Sequence, residues 1–156
     1  VSYARTFSTA SESLLFMGAT GLGKTLLSGC IARAVADRGY SVCYVSAGKL
    51  FSDFETEKFR LKEDGTLTGE YLQTDLLIID DLGTEMTTQF TVSALYQIVN
   101  GRLLSGKPTI VSTNLPDTEL EARYSAQIAS RLLGAYTLYQ FCGTDVRLLR
   151  KMESRG

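Results

Sequence analysis

Short apolar runs alternate along this chain with longer segments in which apolar residues recur every three or four positions. The runs at 14–17, 41–46, 75–81, 108–114 and 135–142 are too short for helices and end in polar or turn-forming residues, which predicts five strands. The periodic segments predict helices between them. One spans 24–38, with Leu26, Leu27, Cys30, Ile31, Ala34 and Val35 inward and Gly39 as its stop. A second spans 49–62, with Leu50, Phe51, Phe54, Phe59 and Leu61 as apolar positions, followed by a turn at 63–66 and a short helical turn at 70–73. The longest covers 88–104, with Val92, Leu95, Tyr96, Ile98, Val99, Leu103 and Leu104 inward and Gly106 beyond it. A short helix at 118–122 is capped by Asp117, and another at 124–133 ends at Gly134. Residues 1–12 read as an approach segment whose Tyr3 and Phe7 sit at the core's edge or near a bound base. Residues 143–156 read as a basic tail carrying Arg147, Arg150, Lys151 and Arg155.

Strands alternating with helices imply an α/β domain: a five-stranded parallel sheet with right-handed crossovers, sandwiched in three αβα layers. The second run is apolar throughout, which predicts a strand covered on both faces. The 156 residues, 44% of them apolar, suit one domain, taken as 1–156 and as the C-terminal part of a longer protein because the chain starts at Val1. No apolar run approaches a membrane span and no secretory signal is present, which predicts a soluble cytoplasmic protein without membrane contact. The three cysteines Cys30, Cys43 and Cys142 each lie in an apolar stretch and are expected to be buried free thiols. Histidine is absent, which removes the usual general base and zinc ligand. A net charge of −1 does not mark a nucleic-acid binder, though basic groups can cluster locally.

The chemistry starts after the first strand. Gly18-Ala19-Thr20-Gly21-Leu22-Gly23-Lys24-Thr25 fits the phosphate-binding pattern G-x-x-x-x-G-K-[ST] at every fixed position, between a strand and a helix. Glycines let backbone N–H groups line a phosphate concavity, Lys24 adds a point charge for the β- and γ-phosphates, and the Thr25 hydroxyl suits Mg²⁺. The third strand ends in Asp80 and Asp81. Asp80 is placed to hold a Mg²⁺-bound water, and either Asp81 or Glu85 to orient the attacking water. A later strand ends in Asn114, a polar residue for the γ-phosphate or, more simply, an Asn in the turn before Pro116. Arg123, Arg131 and Arg147 are candidates for an arginine supplied to a neighbouring subunit.

These residues carry a resemblance. The glycine loop, Leu76-Leu-Ile-Ile-Asp-Asp-Leu-Gly83 with Glu85, Lys107-Pro-Thr-Ile-Val-Ser-Thr-Asn114, Ile128-Ala-Ser-Arg-Leu-Leu-Gly134 and Gly143-Thr-Asp-Val-Arg147 resemble the AAA+ P-loop NTPase module of bacterial replicative-helicase loaders of the DnaC and DnaI type, with IstB-type transposition helpers as relatives. The resemblance implies strand order 5-1-4-3-2, with a helical lid absent or minimal. It makes residues 18–25 and Leu26 the ATP/ADP contacts, Thr25 and Asp80 the Mg²⁺ pair, and Lys24, Asp80, Asp81, Asn114 and Arg131 the catalytic set. It further implies a homo-oligomeric spiral on single-stranded DNA and delivery of the replicative DNA helicase, engaged through a preceding segment. Relatives bind DNA near the segment holding Lys49, Lys58 and Arg60, where basic and aromatic residues mix; a solvated amphipathic helix is the alternative. An IstB-type transposition helper, or a nucleotide-controlled assembly module with negligible hydrolysis, are the competing functions.

Overall fold

The computed structural model describes residues 2–19, 21–59, 66–142 and 147–150. In chain order the elements are α1 (Ser2–Arg5), β1 (Leu14–Met17), α2 (Lys24–Asp37), β2 (Val42–Ser46), α3 (Ala47–Phe59), α4 (Thr66–Gln73), β3 (Leu76–Leu82), α5 (Gln89–Leu104), β4 (Thr109–Thr113), α6 (Asp117–Tyr124), α7 (Ala126–Ala135), β5 (Thr137–Cys142) and β6 (Arg147–Arg150). The sheet runs β2-β3-β4-β1-β5-β6, so the expected five-strand order is present, read from the other edge. The first five strands are parallel. The sixth lies in the expected basic tail and pairs antiparallel with β5, Cys142 opposite Arg147.

The central strands are apolar throughout because each face of the sheet is covered. Alternation sends Leu15, Met17, Leu77, Ile79 and Val111 into one core, beneath α3, α5 and α7. Leu14, Phe16, Leu76, Ile78 and Ile110 enter a second core, beneath α1 and α2. All ten are at most 2% exposed, each worth roughly 1.5–3 kcal/mol of burial. Tyr3, Phe7 and Tyr40 pack edge to face, and Phe7 is buried, so the approach segment sits at the core's edge.

Several expectations are corrected. β2 is an edge strand, so it is only partly covered, and Tyr44 is 40% exposed. On α2 the buried stripe is Lys24, Ser28, Ile31 and Val35. Leu26, about 200° around the helix from Lys24, is 73% exposed, and Cys30 is exposed rather than buried. Cys43 is partly buried, and the side chain of Cys142 lies outside the described residues. Helix α3 starts at Ala47, directly after β2, and α4 is two turns long; Arg60, Leu61, Lys62 and the expected turn lie outside the described residues except for Thr66. Helix α6 begins at Asp117 itself behind Pro116, and α7 begins after Ser125, whose side chain accepts from the Ile128 N–H.

On α5 the inner stripe Leu95, Ile98 and Val99 continues to Arg102, not to Leu104, which is 81% exposed. Arg102 is fully buried. Its guanidinium donates to the carbonyls of Tyr71 at 2.9 Å, Thr74 at 2.9 Å and Pro108 at 2.7 Å, and its Nε to Thr109 Oγ1 at 2.7 Å. Longer contacts reach Leu72 O at 3.3 Å and Asp75 O at 3.4 Å. The cation therefore caps the C-terminal carbonyls of α4 and ties them to the starts of β3 and β4.

Candidate functional site

The glycine loop connects β1 to α2 at the carboxyl end of the parallel sheet, where ligands of open α/β sheets sit. Gly18 is required there. Its φ is +146°, and a Cβ on it would lie 2.5 Å from Phe141 O and 2.8 Å from Phe141 Cβ. Lys24 opens α2, and 6% of it is exposed. Its ammonium donates to the loop's own carbonyls, Gly18 O at 2.5 Å and Ala19 O at 2.8 Å. Burial lowers its pKa, while the charges of Asp81 and Asp80 oppose that shift. The described residues 18–19 and 21–25 thus form a curled loop around a lysine that incoming phosphate oxygens could recruit; Thr20 lies outside them.

Asp80 is brought to the same place by β3. It is 6% exposed, and its partners are hydroxyls from three other elements. Thr25 Oγ1 lies 3.0 Å from Oδ2 and 3.3 Å from Oδ1, Tyr44 donates to Oδ2 at 2.7 Å, and Ser112 donates to Oδ1 at 2.5 Å. Burial, then the bond to Asp80, raises the Tyr44 pKa well above the ordinary phenol value. Thr25 and Asp80 are hard oxygen donors of the kind Mg²⁺ takes together with phosphate and water, so the pair fits that ion. Among the described residues no group of three or more His, Cys, Asp or Glu could hold a metal ion alone.

Asp81 is exposed and adopts a left-handed φ of 59°, with its N–H donating to Ser112 Oγ at 3.1 Å. Glu85 is tied down instead. Its carboxylate, 7% exposed, accepts from Gly83 N at 2.8 Å and from Tyr124 OH at 2.7 Å, and Arg123 donates to its backbone carbonyl. Of the two acids proposed to orient water, Asp81 is the accessible one, and Glu85 fastens the loop after β3 to α6. Gly83 lets that loop approach Leu115, whose Cγ would lie 2.7 Å from an added Cβ.

β4 lies between β1 and β3, with Thr113 opposite both Met17 and Leu82. Asn114, the next residue, is exposed at the mouth of the same end of the sheet. Arg131 is elsewhere. It lies against α5, with Nε donating to Asn100 Oδ1 at 3.1 Å and its guanidinium 5.1 Å from the Tyr96 ring centroid. Arg123 belongs to the Glu85 cluster, and Arg147 is opposite Cys142 on the edge hairpin.

The three basic residues considered for DNA do not assemble into one described surface. Lys49 pairs with Asp53 at 3.1 Å, Lys58 lies 4.9 Å from the centroid of Phe90, and Arg60 is outside the described residues. Nine residues apart, Lys49 and Lys58 face opposite sides of α3. Sequence reasoning missed Tyr44 and Ser112. Ser112 had a weak signal, its place in the Ser-Thr-Asn run, whereas Tyr44 had none, because its reach to Asp80 depends on β2 lying beside β3.

Known proteins resemble this chain in sequence and in fold. The sequence pattern of the IstB-like ATP binding protein family matches residues 3–139. A Mycobacterium tuberculosis protein, described as ATP-binding and lying in an insertion sequence, is 30% identical over 105 residues, covering 67% of this chain and 41% of that protein. The replicative helicase loader DnaC of Escherichia coli K12 is 27% identical over 134 residues, covering 83% of this chain and 54% of DnaC. The chain thus spans about half the length of the curated relatives it matches. The crystal structure of the DnaC helicase loader superposes with a TM-score of 0.80 at 21% identity, covering 89% of this chain and 84% of that one. The replication initiator DnaA bound to AMPPCP and single-stranded DNA gives 0.78 at 23% identity, covering 94% and 45%. At these identities the structures share the fold. Among the described residues no helix is long and apolar enough to cross a membrane.

Proposed function

Because this chain belongs to the IstB-like ATP-binding family, an AAA+ lineage shared with DnaC-type loaders, we propose that it binds ATP with Mg²⁺, hydrolyses it, and loads the replicative helicase onto single-stranded DNA. The observation that carries the nucleotide chemistry is the meeting of Lys24, Thr25, Asp80 and Asp81 at the carboxyl ends of β1 and β3, with Asn114 directly after β4, the strand between them. Lys24 leaves the loop carbonyls for the β- and γ-phosphates. Thr25 and Asp80 would hold Mg²⁺, which when bound would supply positive charge for the phosphate oxygens. Asp81 orients the attacking water, and Asn114 contacts the γ-phosphate. Arg131, whose partners lie on α5 rather than in its own nucleotide site, serves the site of a neighbouring copy. That role requires copies to assemble, and the proposed assembly forms on single-stranded DNA in the cytoplasm.

The family match and the insertion-sequence relative favour one second reading, a transposition helper acting with a transposase. The test mixes the full-length protein with its host's replicative helicase, in ATP and in ADP, and measures complex mass. A complex that changes with nucleotide supports the loader, and its absence in both transfers the proposal to the transposase on duplex DNA. For the chemistry, Lys24→Ala should abolish nucleotide binding, whereas Asp81→Asn should keep binding and lose turnover by at least about 100-fold, the lower end of the range for losing a positioned proton-accepting group. Undiminished turnover in Asp81→Asn would remove Asp81 from this role.

A further inference from the structure

We infer that Tyr44 is a positioning residue for the metal-holding carboxylate, setting how strongly nucleotide binding depends on Mg²⁺. The inference rests on the nucleotide reading above and extends it to a residue outside the glycine loop and the Asp80-Asp81 pair. Asp80 is held on both sides. Ser112 on β4 donates to Oδ1 at 2.5 Å, and Tyr44 on β2 donates to Oδ2 at 2.7 Å. Thr25 contacts both oxygens from α2, at 3.3 and 3.0 Å. The Thr25 hydroxyl has a single proton, so it can donate to one Asp80 oxygen at a time, whether or not a lone pair faces a cation. The hydrogen bonds from Ser112 and Tyr44 supply the fixed hold on Asp80 from two flanking strands, one oxygen each. Ser112 is itself anchored, because it accepts from the Asp81 N–H at 3.1 Å. The Oδ2 side is shared between Thr25 and a phenol carried by an edge strand, and the phenol makes the shorter bond.

The strand register supports a dedicated reach. Ser46, not Tyr44, is the residue of β2 opposite Asp80, while Tyr44 is opposite Ile78. The side chain therefore runs along the sheet by two residues to meet the carboxylate. A 40%-exposed tyrosine on an open edge could have left its hydroxyl in water; instead it spends the hydroxyl on a buried acid. Groups that orient a metal ligand typically alter metal affinity by about 10–100-fold when removed. With Ser112 still in place, the lower end of that range is expected.

The experiment titrates Mg²⁺ against the full-length protein and its Tyr44→Phe variant with a fluorescent ADP, read by anisotropy, and repeats the ADP titration in EDTA. Phenylalanine keeps the ring and its packing. The expected result is ADP affinity in EDTA within about twofold of wild type and a Mg²⁺ half-saturation raised about tenfold. An unchanged Mg²⁺ titration overturns the inference. So does an equal loss of affinity in EDTA and in Mg²⁺, which is the mark of a role in packing alone. If the wild-type protein binds no ADP in either condition, the nucleotide reading fails and this inference fails with it.

Discussion

Replacing Arg102 by methionine tests whether a buried cation without a carboxylate partner holds this fold together. Methionine keeps most of the length and removes every donor. Four short hydrogen bonds disappear, to Tyr71 O, Thr74 O, Pro108 O and Thr109 Oγ1, at 2.7–2.9 Å. Each charge-assisted bond contributes roughly 1.5–3 kcal/mol. That gross loss is offset by no longer having to desolvate a guanidinium, a penalty of several kcal/mol. The orphaned carbonyls differ as well. Pro108 O keeps the Leu77 N–H at 3.3 Å, whereas Tyr71 O and Thr74 O lie at the end of α4, where intrahelical donors run out. Assigning about 1–2 kcal/mol to each of the latter two, and about 1 to the lost tie at Pro108 and Thr109, gives a net cost of about 3–5 kcal/mol. For a chain of this size that lowers Tm by about 6–20 °C. Burial brings the Arg102 pKa down to about 10, so the side chain is still charged at neutral pH. The assay is urea unfolding at pH 7.5, with Arg102→Lys beside it. Lysine keeps the charge but cannot spread donors over carbonyls on three segments, so it should fall about midway. A methionine variant within about 1 kcal/mol of wild type would refute the reasoning, because the carbonyl network would then add nothing beyond the desolvation it offsets.

Gly18→Ala should remove nucleotide binding, because the added Cβ would lie 2.5 Å from Phe141 O at a φ of +146°; equilibrium dialysis with ATP checks it, and normal affinity would mean that β1 and β5 can separate locally. Stability should fall as pH rises above about 10. Burial pushes the Tyr136 phenol up to about 12, so between the unfolded value of about 10 and the folded value the native state holds a proton that the unfolded chain has lost. Denaturant midpoints at pH 8, 10 and 11 should be level between the first two and lower at the last. Tyr124→Phe should cost about 1 kcal/mol by removing the 2.7 Å bond to Glu85, with a larger loss of turnover than of ATP affinity if the loop after β3 sets Asp81 in place.

The sequence by itself determined the parts governed by local rules. Leu14–Met17 and the apolar part of β3 had to be strands because runs this short, apolar on both faces, are stable only under two layers of helix. The meeting of Lys24, Thr25 and Asp80 was legible because a glycine loop and a strand-terminal acid both fall at the carboxyl end of a parallel sheet, with one strand, β4, between β1 and β3. What the tertiary structure decided depended on which elements became neighbours. Placing β2 at the edge half-exposed a strand whose composition suggests full burial, and it aimed Tyr44 at Asp80 across the register. Helical periodicity could not separate Arg102 from Leu104, since only the carbonyls gathered from α4 and the starts of β3 and β4 make a cation acceptable in the interior. The two acids Asp81 and Glu85 were equivalent as letters. They differ because Tyr124 and Gly83 take up the carboxylate of Glu85, while among the described residues the Asp81 side chain stays exposed at the mouth of the sheet.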